Sequence, residues 1–366
     1  MNENELITWL FDNGGSAIRY RTATELMENC SAGLKKQLIK DLLEHKKAKA
    51  LLPLLDGFPT IPSFNNIRDF IRYHSSKGHD LEQILPKLMN IGFKKGISEF
   101  DKKMRNFCKY VENDLVRKAQ QDPQDVTDTW AIWTAHFVAA HFVWGGYTYK
   151  ESIDYIKKRI DLLYKAASLK LFDIHSEKGK KPIIKPELDP CIGDTPLPII
   201  FDIFCLSYFP QENLNKDYRK KINVIIEYIL DDRFQSLPEG YGYLSYISSS
   251  GKRTVYGCGW SPVLPGFFSF DSQPQLKSII LYLDLMSHFK VAIKSNWFKN
   301  CMDHLEQYRN NSGTYSFPSN YLSDKKDGFF VLGNGIGLEE SRSKKSLELE
   351  STFWMLLIKR RIRNMV

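Results

Sequence analysis

Two carboxylates stand alone in apolar stretches of this chain. Asp202 lies in Pro198-Ile-Ile-Phe-Asp-Ile-Phe204, and Asp284 in Ile279-Ile-Leu-Tyr-Leu-Asp-Leu285. Taking an unpaired carboxylate out of water is costly. Each must therefore meet a structural partner (an arginine, a tyrosine or a helix N-terminus) or face a polar cavity. In a cavity, burial raises the pKa and makes the protonated side chain a general acid. The expectation is that at least one of the two opens onto a central pocket with a raised pKa. His141 is the third candidate catalytic residue. It shares a helix face with Trp130, Trp133, Phe137 and Trp144, at spacings of three and four residues. Facing a cavity, it could bind a ligand or move a proton. Facing a core, it is a hydrogen-bonded histidine among aromatics.

The elements that must carry these residues recur slowly. Long apolar helices begin near Val126, Thr195, Pro274 and Ser346, about seventy residues apart, the length of a helical hairpin with a long loop. Residues 126–144, 195–208, 273–288 and 345–360 read as the apolar set. Residues 149–171, 215–231 and 294–309 read as amphipathic helices between them. Such alternation fits an inner and an outer helix layer. Ahead of them, short helices are expected over 3–55, 64–76, 80–91 and 98–119. The fold expected is all-α: an α/α toroid over 120–366 and a HEAT-like helical region over 1–119.

The loops at 172–194, 235–272 and 310–343 are long enough to suggest a ligand-facing role. Gly240-Tyr-Gly-Tyr243 and Gly313-Thr-Tyr-Ser-Phe-Pro318 echo each other 73 residues apart. Tyr241, Tyr243, Trp260 and Tyr315 are the aromatics these loops offer to a ligand. Gly257-Cys-Gly-Trp-Ser-Pro262 and Gly333-Asn-Gly-Ile-Gly337 lack the Lys-Ser/Thr pair of a phosphate loop and read as tight turns.

The 43% of apolar residues fill a core and exclude a disordered chain. The net charge of +8 admits an anionic ligand. No zinc-finger or RNA-binding spacing accompanies it, so nucleic acid is not expected as a partner. Six scattered cysteines without a C-x-x-C fit reduced thiols. With no signal-peptide pattern and no uncharged apolar run of membrane-spanning length, a soluble cytoplasmic protein is expected.

The layered hairpins and Gly-aromatic loops resemble the α/α toroid superfamily of terpenoid cyclases and protein prenyltransferase β subunits. Gln307-x5-Gly313-x-Tyr315 is similar to a degenerate Gln-x3-Gly-x-Trp repeat of that superfamily. Glu348-Leu-Glu-Ser-Thr-Phe-Trp-Met355 resembles its last inner helix. The likeness covers roughly residues 120–363. It implies an isoprenoid-like or other apolar ligand in a central cavity, bound or transformed. The Asp-x-Asp-Asp motif of class II cyclases is absent. Of the class I motif only Asp231 and Asp232 remain, and they read as a solvated helix end. The prenyltransferase likeness implies a zinc site: Asp189-Pro-Cys191 has the family's Asp-x-Cys spacing, and His288 would be the distant third ligand. Two other functions stay open. One is a carbohydrate-active (α/α) barrel with a sugar-like ligand; the other is a non-catalytic helical-repeat module.

Overall fold

Asn2 opens the first helix, α1 (Glu3–Asn13), through a capping box. Its Oδ1 accepts from Glu5 N at 3.0 Å, and Glu5 Oε2 accepts from Asn2 N at 2.7 Å. Helix α2 (Ser16–Arg21) runs directly into a π-helical turn, Thr22–Leu26, closed by Met27 N donating to Thr22 O at 2.9 Å. Then come α3 (Ala32–Leu43), capped by Ser31, and α4 (Lys46–Leu51), followed by α5 (Leu81–Asn90) and α6 (Ser98–Tyr110). Next are α7 (136–144), α8 (Lys150–Ser168), α9 (Ile200–Ser207), α10 (Lys216–Ile229) and α11 (Asp232–Gln235). The chain closes with α12 (Ile279–Met286), α13 (Lys290–Lys294), α14 (Asn296–Glu306) and α15 (Lys344–Met365). The computed structural model describes residues 1–58, 74–110, 136–188, 195–247, 251–257, 259–271 and 275–365.

The class is mostly helical, as the periodicity requires. The apolar stretches around Asp202 and Asp284 form α9 and α12, and every residue of both helices is buried. The amphipathic stretches form α8, α10 and α14, capped at the last two by Asn215 and Ser295. The expected helix at 64–76 falls almost wholly outside the described residues, as does the start of the one at 126–144.

The loops expected at 172–194 and 235–272 need correction. They contain a four-stranded sheet: β1 (His175–Glu177), β2 (Ile183–Ile184), β3 (Tyr243–Ile247) and β4 (Arg253–Gly257), in the order β1-β2-β3-β4. The outer pairs are antiparallel and β2–β3 is parallel. The β3–β4 register runs from Tyr243 opposite Gly257 to Ile247 opposite Arg253. Strands of two to five residues are too short to reveal a period of two, and pairing across distant segments is invisible in sequence.

The chain divides into two compact units. The first takes Met1–Pro62, Arg68–Cys108 and Pro265–Val366; the second takes Ser63–Ile67 and Lys109–Leu264. In the first, α1, the π turn and α12 all pack on α15. Its core includes Leu10, Ile18, Leu88, Phe93, Leu283 and Phe353. In the second, α8 and α10 pack side by side, and the core includes Ile156, Ile160, Ile225 and Ile226 from them and Phe137, Phe142 and Phe204 from α7 and α9.

Candidate functional site

The sequence Arg21-Thr-Ala-Thr-Glu25 places an arginine and a glutamate four residues apart, one turn along a helix face. Here the backbone widens into the π turn, a rare geometry that is frequent at functional sites. Thr24 Oγ1 donates back to Tyr20 O at 2.9 Å, within the same stretch. Arg21 grips Glu25 with both prongs, Nε to Oε1 at 2.7 Å and Nη2 to Oε2 at 2.9 Å. Its Nη1 donates to Asn90 O at 2.9 Å, and its plane lies over the rings of Phe353 and Trp354, 4.7 Å from each.

That bond to Asn90 ties the π turn to the end of α5. The chain leaves α5 through Gly92 at φ +117°, with Phe93 N donating to Leu88 O and Gly92 N to Met89 O, a Schellman-type stop. A Cβ at Gly92 would sit 2.7 Å from the Tyr20 ring, so only glycine passes there. Two residues on, Lys94 falls within electrostatic range of Glu25, Arg21, Arg361 and Asp284. From α15, Arg361 Nη1 donates to Asp284 O at 3.0 Å, to the Asp284 carboxylate and to Ser287 Oγ at 3.3 Å. His288, one residue beyond Ser287, interacts with Arg361, Lys94 and Glu25.

Six ionisable side chains thus share one place in the first unit. Arg21 and Asp284 are buried; Glu25, Lys94, His288 and Arg361 are half-buried and keep contact with solvent. Burial opposes the Glu25 charge, but Arg21, Lys94 and Arg361 outweigh it and hold the carboxyl well below its usual range. Lys94 is drawn up by Glu25, yet burial and the like charges of Arg21 and Arg361 leave it below the ordinary lysine value. Burial, then Arg361 and Lys94, push His288 far below 6.5, so it is neutral at pH 7. Lys94 has no hydrogen bond and no ion pair among the described residues, while both carboxylates are gripped by arginines. Thr22 Oγ1 and Trp354 Nε1, on the π turn and on α15, are buried without a partner. The arrangement can bind an anion and present a neutral imidazole and an amine beside it.

Asp202 belongs to the second unit and has a different environment. Arg159, from α8, donates through Nε to Oδ1 at 2.9 Å and through Nη2 to Oδ2 at 3.0 Å. His136 Nε2 donates to Oδ1 at 2.8 Å, Tyr155 OH donates to His136 Nδ1 at 2.8 Å, and Ile199 N donates to Oδ2 at 2.8 Å. Arg159 Nη2 also holds Leu197 O at 2.8 Å. All four side chains are buried. Against the effect of burial, Arg159 holds the Asp202 carboxyl well below its usual range. Of the two carboxylates of which at least one was expected to carry a raised pKa, Asp202 is not that one. The opposing charge comes from a helix whose charged residues read as outward-facing. Asp284, likewise, is paired with Arg361. The network ties α7, α8 and α9 together and offers no free proton.

His141 donates from Nδ1 to Phe137 O at 2.6 Å, and its Nε2 is buried without a partner. It lies against Phe137, Trp144, Phe201 and Phe204, and burial lowers its pKa to about 4. Trp130 and Trp133 lie outside the described residues. Tyr241 is buried, with its hydroxyl donating to Pro198 O; Tyr243 is half-buried at the start of β3. Trp260 is half-buried at φ +77° near Phe201, so His141, Phe137, Trp144 and Trp260 line one aromatic cluster. Tyr315 belongs to the first unit. Its hydroxyl donates to Glu306 Oε2 at 3.0 Å and accepts from Lys359 Nζ at 2.8 Å.

Of the proposed metal ligands, Asp189 and Cys191 lie outside the described residues. His288 stands beside Lys94 and Arg361, whose charges oppose a metal ion. Among the described residues no three His, Cys, Asp or Glu side chains form a metal-ligating group. Glu25, Lys94 and Arg361 were not singled out from the sequence. The spacing of Arg21 and Glu25 is a usable signal for the first of these. Comparison with protein families, with curated proteins and with solved structures finds no match to this chain.

Proposed function

We propose that the first unit binds a small organic anion at the cluster formed by Glu25, Lys94, His288 and Arg361. The observation that carries this reading is Lys94: a half-buried ammonium with no hydrogen bond or ion pair among the described residues, set among charges in which three cations face two carboxylates. An unbalanced cation at a partly desolvated place is strongly attracted to an anion, because water screens it poorly there. The toroid arrangement of helical hairpins, with a HEAT-like region before it, belongs to the same proposal, supported by the alternation of apolar and amphipathic helices. So does a cytoplasmic location, supported by Cys205 and Cys301 as buried free thiols. Among the described residues no helix is long and apolar enough to cross a membrane.

An isoprenoid-like ligand fits this reading when its head is a diphosphate. The carbohydrate reading is weaker, since acid–base work on a glycosidic bond needs carboxyl groups at liberty, and Asp202 and Asp284 are each bound to an arginine. The test is thermal shift and calorimetry of the full chain at low salt, with inorganic diphosphate, a prenyl diphosphate and a 2-oxo acid. At least one should raise the melting temperature. Lys94→Ala should weaken its binding about tenfold or more, whereas Lys345→Ala, at an exposed site, should not. No shift from any anion, or unchanged affinity in Lys94→Ala, refutes the reading.

A further inference from the structure

We propose that Lys94 is an amine nucleophile that forms an imine with the carbonyl carbon of an anionic carbonyl compound of the 2-oxo acid class. The inference rests on the reading that this cluster binds an anion, and narrows it to a substrate class and a reaction.

Three observations lead there. First, the backbone is built to deliver Lys94. Gly92 at φ +117° passes within contact of Tyr20, and Arg21 holds Asn90 O, so the turn that bears Lys94 is fixed against the π turn that bears Glu25. Second, the amine makes no hydrogen bond or ion pair among the described residues, with Glu25 its strongest electrostatic neighbour. Lys87 and Lys277 are also held below the ordinary lysine range, but Lys87 Nζ donates to Lys326 O at 2.6 Å and Lys277 Nζ donates to Asn334 Oδ1. Among the described residues Lys94 makes no such bond. Third, its neighbours suit the chemistry. A lysine becomes nucleophilic when desolvated beside other cations, and Arg21 and Arg361 are those cations. The same positive field favours the carboxylate of a 2-oxo acid. Glu25 favours the charged ammonium, but burial and the like charges of Arg21 and Arg361 outweigh it and hold the amine below the ordinary lysine value.

The step balances without an oxidant or a metal. The nitrogen lone pair of the neutral amine attacks the carbonyl carbon, and the C=O π pair moves to oxygen, which takes a proton. The carbinolamine then expels that oxygen as water while nitrogen loses its remaining protons to form C=N. Amine and 2-oxo acid give imine and one water. The protons passing from nitrogen to the leaving oxygen travel through solvent, to which the half-buried cluster is open.

The test is reductive trapping of the full-length chain with glyoxylate and cyanoborohydride, mapped by peptide mass spectrometry. Lys94 should be modified about tenfold faster than exposed lysines such as Lys345, and faster than Lys87 and Lys277. Lys94→Arg should keep the melting temperature and the shift produced by lactate, which has the carboxylate but no carbonyl, and should lose the adduct. Should that variant not fold, preferential labelling in the wild-type chain decides alone. Even labelling across exposed lysines, with lactate binding intact, overturns the imine and leaves the anion site standing. Loss of both lactate binding and trapping overturns both readings. Equal labelling of Lys94 by neutral acetaldehyde overturns the anionic substrate class.

Discussion

His141 converts acid pH into instability, and the size of the effect follows from its surroundings. The imidazole is fully enclosed by Phe137, Trp144, Phe201 and Phe204, and its folded-state pKa is about 4 against 6.5 in the unfolded chain. A group whose pKa falls on folding binds more protons in the unfolded state, so stability is complete above pH 6.5 and is lost as pH falls towards 4. The gap corresponds to about 3.4 kcal/mol once both states are protonated, and about 2 kcal/mol of it is lost between pH 7 and pH 5. His141→Phe removes the titrating group and keeps an aromatic ring in an aromatic site. At pH 7 it should change stability by less than about 1.5 kcal/mol, since the swap nearly conserves volume. Urea unfolding of both proteins at the two pH values measures the difference. Wild type should lose about 2 kcal/mol more than the variant on going from pH 7 to pH 5. An equal loss in the two proteins would refute the enclosure of this imidazole and the argument built on it.

Three further outcomes follow from the packing. Arg159→Met leaves Asp202 charged and buried, and should cost about 3–5 kcal/mol in denaturant unfolding; a cost under about 1 kcal/mol would mean that the ion pair is not the anchor of α7, α8 and α9. Gly92→Ala meets both a left-handed backbone and the Tyr20 ring, whereas Gly96→Ala at φ +99° meets open space; the first should cost at least about 1 kcal/mol more than the second, and equal melting temperatures would contradict the close approach. Tyr315→Phe deletes the hydroxyl joining Glu306 to Lys359 and should lower stability by about 1 kcal/mol; a neutral result would show that water replaces it at no cost.

Periodicity alone located most of the described helices, because burial of one face imposes a 3.6-residue repeat that any window of a dozen residues displays. The starts at Asn2, Ser31, Asn215 and Ser295 are legible for a similar reason: a cap acts on amides two or three residues away. Asp202 and Asp284 also stood out as carboxylates needing an explanation, since the energetic problem of a buried charge is visible in one segment. Its solution is not. Arg159 is 43 residues before Asp202, on a stretch that reads as an amphipathic outer helix, and Arg361 is 77 after Asp284, just past a stretch that reads as apolar. Which cation turns inward depends on how two helices rotate against each other. The small sheet was hidden in the same way, since β2 pairs with β3 across sixty residues of chain. The cluster of Glu25, Lys94, His288 and Arg361 is the furthest from sequence. Its members come from four segments with unremarkable local patterns, and only the π turn, the stop at Gly92 and the packing of α12 and α15 bring them together. Local physics fixes each helix and its exposed and buried sides; long-range packing decides which charges meet, and with them the chemistry.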